Sequence, residues 1–398
     1  MTLSAIIVSY KVQYYLAQCI LSLFKAGRNM DLEILVIDND SQDGTENYLR
    51  TVFPDTFGKQ LLFIANTGNE GFGKANNKAL LSARGKYILF INPDTFVSED
   101  TLDRCVRFLD SHPQAGTIGV RMLNPNGTFA RESRRGVPTL FTAFCKISGL
   151  NALFPHSRLF NKYHMGYMDE KEVGEIDIAS GAFMMIPKHI LDTIGAFDEQ
   201  FFMYGEDVEL SYRIQKNGYR NYYIPTRILH YKGESTDKHS RRYVNVFYKA
   251  MLIFFKKHYP KARLLYATVF SAVYLLSLKA IVMQRKNKLQ AMLRHKDNMK
   301  AQYAFFGSER MLEKACKICI RYHLDGLFFP SEDSNASACI DRIKETGRYT
   351  FLVYDMETYT YKDILQAFDD TPRKDLIIGT AYADLNLFIT HFNTFTLK

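Results

Sequence analysis

The stretch "FFMYGEDVELSYRIQKNGY" sets two acids, Glu206 and Asp207, side by side after Gly205. Leu210 and Ile214 follow at helical spacing, so the pair opens an amphipathic helix. Acids in a first helical turn suit the helix dipole. A carboxylate held there can also take the proton of an attacking hydroxyl. Another acid, Asp94 in "FINPDTFV", follows an apolar strand and a turn fixed by Pro93. One carboxylate with water and phosphate oxygens is a usual set for Mg2+ or Mn2+. A turn Asp bonded to its own backbone is the plainer alternative. In "VIDNDSQDGT", Asp38, Asp40 and Asp43 also end a strand, where carboxylates accept ribose hydroxyls or a base N–H. Asp43 and Ser41 stand equally well as helix caps. His230, in "ILHYKGEST", follows an apolar strand; a lone histidine is more often structural.

The segment "GNEGFGKA" has the glycine and lysine spacing of a phosphate-binding P-loop, between a strand and a helix. A P-loop needs Ser or Thr after its lysine to hold magnesium, and here Ala75 follows Lys74. The spacing alone therefore does not make an ATPase.

The elements that must position these residues are legible from apolar periodicity. Continuous apolar runs at Leu3–Ser9, Leu32–Ile37, Leu61–Ala65 and Tyr87–Ile91 read as strands. Helical patterns lie between them at Gln13–Lys25, Gly44–Thr51 and Lys74–Arg84. Apolar strands alternating with helices predict an α/β fold with a mostly parallel sheet buried on both faces. Ligands bind such sheets at the strands' carboxyl ends. Those ends carry Ser9 and Tyr10, then Asp38, Asn39 and Asp40, then Asn66, and last Asn92, Pro93 and Asp94.

At 398 residues, 47% hydrophobic and 23% charged, the chain can build more than one packed domain and is not disordered. The formal charge of +9 favours an anionic partner, a nucleotide or an acidic lipid. No nucleic-acid-binding signature is present, so nucleic acid is not expected. Six scattered cysteines suit a reducing compartment, and Cys316 and Cys319 are expected as a buried apolar pair on one helix side. The first residues read as a strand and not as a leader, which predicts a cytoplasmic protein. Residues 241–299 are expected to form a helical segment and basic linker. Within it, Leu264–Met283 is apolar but holds Thr268, Ser271 and Lys279 and has basic flanks. That pattern favours a helix lying on the cytoplasmic membrane surface over a span or a buried helix. Residues 300–398 read as a small α/β domain of unknown role.

The ordered pieces "IIVSYK", "VIDNDSQDGT", "NTGNEGFGKANNKA", "LFINPDTFV", "SGAFMMIPK", "GAFDEQFFMYGEDVELSYRIQKNGY" and "HYKGES" resemble family 2 glycosyltransferases of the GT-A fold. The likeness is strongest to the rhamnosyltransferase-like branch of bacterial cell-surface polysaccharide assembly, and it covers about residues 3–236. It implies a glycosyltransferase domain over residues 1–240. By resemblance, Asp94 holds Mg2+ or Mn2+, His230 completes the metal site, and Asn92 replaces the first acid of the Asp-x-Asp motif. Ser9, Tyr10, Asp38, Asn66, Gly71, Asn76 and Asn92 would face a nucleotide diphosphate sugar, dTDP- or UDP-linked. Asp207 would be the base of an inverting transfer, with Ser180, Gly181, Ala182 and Glu206 on the acceptor side. The acceptor implied is a polyprenyl-diphosphate-linked glycan. Two other readings stay open: a sugar nucleotidyltransferase, and a membrane-associated sugar-nucleotide binder without catalysis. The first would carry a glycine- and arginine-rich loop after strand one, where this chain has "SYKVQYY".

Overall fold

The computed structural model describes residues 1–232, 241–260, 301–331, 335–343 and 348–397. The run Leu264–Met283 lies outside them. Among the described residues, no helix is long and apolar enough to cross a membrane.

The chain begins β1 (Leu3–Ser9), α1 (Gln13–Ala26), β2 (Leu32–Asp38), α2 (Thr45–Val52), β3 (Leu61–Ala65), α3 (Phe72–Leu80) and β4 (Tyr87–Ile91). It continues through β5 (Thr95–Val97), α4 (Thr101–Ser111), β6 (Ala115–Leu123), α5 (Leu140–Ile147) and α6 (Leu150–Leu153). Then come β7 (Gly174–Ile176), β8 (Phe183–Pro187), α7 (Lys188–Ile194), α8 (Glu206–Lys216), β9 (Arg220–His230) and α9 (Arg241–His258). The first sheet has the order β3-β2-β1-β4-β8-β6-β9-β5, with β7 beside β9. β1 to β4 run parallel, and β8 enters antiparallel between β4 and β6. As the continuous apolar runs require, both faces are covered: α1, α2 and α4 on one, α3, α7 and α8 on the other.

A second sheet follows, from β10 (Gln302–Gly307), α10 (Glu309–Tyr322), β11 (Asp325–Pro330), α11 (Ala336–Arg342) and β12 (Thr350–Asp355). It ends with α12 (Tyr361–Asp370), β13 (Leu376–Tyr382), β14 (Leu387–Thr390) and β15 (Asn393–Thr396). Its order is β11-β10-β12-β13-β14-β15, parallel through β13 and antiparallel after it. One face packs on α10. The other shares a buried cluster with the first unit, joining Val12, Tyr15, Phe96, Leu123, Leu229 and Tyr231 to Phe306, Leu352, Tyr354 and Tyr361. Buried hydrogen bonds cross the same boundary, from Gln18 Nε2 to Thr380 Oγ1 (2.8 Å) and from Tyr15 O–H to the Thr390 carbonyl (2.9 Å).

The cysteine expectation needs correction: Cys319 is buried but Cys316 is exposed. The buried stripe of α10 runs through Met311, Leu312, Ala315, Ile318 and Cys319. Cys316 stands one position outside it.

Candidate functional site

Three loops meet at the carboxyl ends of β1 to β3. The Asp38 carboxylate accepts from the Ser41 hydroxyl (2.5 Å) and backbone N–H (2.9 Å), and Ser41 Oγ accepts from the Lys11 N–H (2.9 Å). Burial pushes Asp38 above the ordinary carboxylate range against those hydrogen bonds. Tyr10, half-buried, lies beside Lys11, whose ammonium is 5.3 Å from its ring. Asn39, one of the polar strand-end residues, is the hub. Its Nδ2 donates to the Gly71 carbonyl (3.1 Å), and its Oδ1 accepts from Asn66 Nδ2 (2.8 Å). Asn66 Oδ1 takes the Lys78 ammonium. Gly71 holds φ +86, and a Cβ there would stand 2.3 Å from the Phe202 carbonyl oxygen. Only glycine fits this close approach. Lys74 is exposed and pairs with Glu70 (3.1 Å). Ser9 Oγ and Asn76 Oδ1 are buried without a hydrogen-bond partner among the described residues.

The second group stands where β5 pairs with the end of β9. That antiparallel pairing sets Thr95 opposite His230 and so brings Asp94 beside the ring. Asp94 Oδ1 is 3.3 Å from His230 Nε2, and Asn92 Nδ2 is also 3.3 Å from it. Burial works against the Asp94 charge, but His230 together with the backbone N–H groups of Asp94 and Lys232 outweighs it and holds the carboxyl below its ordinary range. His230 Nδ1 is buried without a hydrogen-bond partner among the described residues. Among the described residues no three acids, histidines or cysteines cluster around one point. A metal here would take one carboxylate and one imidazole, leaving positions for ligand phosphates and water. This donor set fits Mg2+ or Mn2+.

The third group is continuous with the second. The Asn92 N–H donates to the Ala182 carbonyl (3.2 Å). Ser180, Gly181 and Ala182 lead into β8, and the Gly181 N–H donates to Asp207 Oδ2 (3.0 Å). A Cβ on Gly181 would lie 3.3 Å from the Asp207 Cβ, so the pair touches closely. Asp207 Oδ2 also accepts from Arg135 Nη2 (2.5 Å), and Oδ1 from the Val208 N–H (2.8 Å). Arg135 was not visible as a site residue in the sequence; its pairing spans 72 positions. Burial opposes its charge, and Asp207 and Tyr163 keep it protonated. Glu206 lies beside this pair, its Oε2 buried without a hydrogen-bond partner among the described residues. Burial, then the Asp207 charge, push its carboxyl up to about 8. Tyr204 and Gly205 both hold positive φ before α8, which turns the chain sharply into the acid pair.

A mostly parallel α/β sheet that gathers polar groups at successive strand ends, with an acid pair opening a helix nearby, is the GT-A class of architecture. Residues 4–195 match the family described as Glycosyl transferase family 2, and the chain carries a glycosyltransferase domain of that family. The N-acetylglucosaminyl-diphospho-decaprenol L-rhamnosyltransferase of Mycobacterium tuberculosis is 25% identical over 267 residues, 63% of this chain and 83% of that protein. The rhamnosyltransferase WbbL of Escherichia coli K12 is 26% identical over 174 residues, 41% of this chain and 62% of that protein. Among solved structures, mannosyltransferase PcManGT from Pyrobaculum calidifontis, in complex with GDP-Man and Mn2+, aligns with a TM-score of 0.44 at 16% identity. That alignment covers 73% of this chain and 75% of the other.

Proposed function

We propose that this protein is an inverting, metal-dependent glycosyltransferase working at the inner face of the cytoplasmic membrane. It moves a sugar from a nucleotide diphosphate donor to a polyprenyl-diphosphate-linked glycan. dTDP-rhamnose is the first donor to test and UDP-sugars the second, because the named relatives are rhamnosyltransferases. The observation that carries the reading is one run of contacts: Asp94 and His230, through Asn92, Ala182 and Gly181, to Asp207. A metal-type pair and a base-type acid thus share one wall.

In this reading the unpartnered Ser9 Oγ and Asn76 Oδ1 take polar groups of the donor. The Asn39–Asn66–Gly71 bridge holds the donor loop open at backbone distance. Asp94 and His230 hold the metal, which when bound neutralises charge on the departing diphosphate. Asp207, fixed by Arg135 and the Gly181 N–H, takes the acceptor proton. Glu206, protonated at neutral pH, offers an O–H to the acceptor. One base and no protein nucleophile give inversion.

The test combines two variants. Asp207→Asn is expected to bind donor with Mn2+ as the parent does, yet lose turnover by about a hundredfold or more. Asp94→Asn is expected to lose the Mn2+-dependent part of donor affinity in calorimetric titration. A product with a retained anomeric centre, or Mn2+-independent donor binding in the parent, would overturn the reading. Running the assay with acceptor in anionic vesicles tests its membrane part; transfer confined to detergent would refute that part.

A further inference from the structure

β6 and β9 run parallel, but their register breaks: Val120 pairs with Ile224, and the next residue, Arg121, pairs with Arg227. Pro225 and Thr226 bulge out, so two arginines stand opposite each other across the ladder. Like charges in that position repel. Glu170 of the first unit pairs with Arg121 (3.0 Å), but the carboxylate that both arginines share comes from the second unit. Asp369, near the end of α12, accepts from Arg121 Nη2 (2.6 Å) and Nε (3.0 Å) through Oδ1, and from Arg227 Nε (2.8 Å) through Oδ2. Its side chain is 1% exposed, and that of Arg121 is 5%. Burial raises the Asp369 carboxyl, but the two guanidiniums outweigh it and keep the group charged.

Helix α12 holds the neighbouring strand as well. Glu99, two residues past β5, accepts from the backbone N–H groups of Tyr361 (3.0 Å) and Lys362 (2.7 Å) at the start of α12. Phe96 of β5 lies against the Tyr361 ring, with centroids 5.0 Å apart. Beyond the bulge, β9 alternates by strand period: Arg227, Leu229 and Tyr231 face the second unit, and Ile228 and His230 face away. The strand pair that presents Asp94 and His230 is therefore gripped from behind by one helix.

We propose that Asp369 is a positioning residue for the metal site: by bridging Arg121 and Arg227 it sets the register and height of β9, and so the place of the His230 ring. The inference rests on the reading of Asp94 and His230 as metal ligands. Positioning groups behind ligands typically change metal affinity by about 10–100-fold.

The experiment measures Mn2+ affinity of the full chain by calorimetry, with thermal unfolding alongside. His230→Ala is expected to weaken Mn2+ binding, which checks the underlying reading. Asp369→Asn is expected to weaken it about tenfold in protein that is still folded, and Asp369→Glu to recover part of the loss. Arg227→Lys keeps the charge but loses the guanidinium fork, and it should weaken Mn2+ in the same direction if Asp369→Asn does not fold. A lower unfolding temperature with unchanged Mn2+ affinity, in whichever variant folds, would overturn positioning while leaving the metal reading intact. No Mn2+ binding by the parent, or none lost in His230→Ala, would overturn both.

Discussion

Among the described residues, Glu206 Oε2 has no donor, while the neighbouring Asp207 has three, from Arg135, Gly181 and Val208. Burial, then the Asp207 charge, raises the Glu206 carboxyl, the setting of an acid that keeps its proton. The Glu206 carboxyl titrates near 8 in the folded protein, against 4.5 for an ordinary glutamate. Between those values the unfolded chain has released this proton and the folded one keeps it. Folding stability from this group therefore falls as pH rises from about 4.5 to 8. Glu206→Gln removes the titration. Its unfolding free energy relative to the parent is expected to rise with pH, by on the order of 3 kcal/mol between pH 5 and 8. Denaturant unfolding at those two pH values measures this, and a constant difference would refute the assignment of the proton to Glu206.

At the scale of elements, the loop between β3 and α3, proposed to meet the donor, is fixed by its neighbour, the segment before α8. The Phe72 N–H donates to the Phe202 carbonyl (2.8 Å), and Gly71 presses on that same carbonyl. Gly71→Ala adds a Cβ at positive φ and 2.3 Å from backbone, so one of the two segments must move. The expected result is a donor affinity at least about tenfold weaker, with the Asn39 hydrogen bond to the Gly71 carbonyl lost. Calorimetric titration with donor reads it; parent-like affinity would refute the fixed loop. Much of this was readable in advance. β1, β3 and β4 lie where apolar runs put them, and the strand-end residues Ser9, Asp38, Asn66 and Asn92 stand at the carboxyl ends. Helix α3 begins at Phe72, two residues before the lysine that suggested its start. Helix α12 went unread although Tyr361, Ile364, Leu365 and Phe368 have helical spacing. Arg135 and Asp369 were illegible for a different reason. A charge does not announce a partner 72 or 142 positions away, and only the register of distant strands decides that pairing.

For the whole molecule, the shared cluster makes the second unit part of the first unit's core. Without it, Phe96, Leu123, Leu229 and Tyr231 face water, Arg227 loses its carboxylate, and Arg121 keeps only Glu170. Removing one side of a buried ion pair alone costs about 3–5 kcal/mol. Residues 1–300 produced alone are therefore expected to be insoluble or to unfold at least about 10 °C below the full chain, by calorimetric scan. A soluble fragment with the parent's unfolding temperature would show that the two units are independent.

The bridge from Arg227 to Asp369 also has a consequence in time. The two residues are 142 positions apart, so a ribosome making about 5–20 residues per second finishes β9 roughly 7–28 seconds before Asp369 is added. During that interval Arg227 lacks its carboxylate, Arg121 has only Glu170, and the faces of Leu229 and Tyr231 lack the second unit's cover. The nascent first unit must wait, incompletely assembled, for a helix still to be synthesised, and a pause or a premature stop before residue 369 leaves it exposed to aggregation and proteolysis.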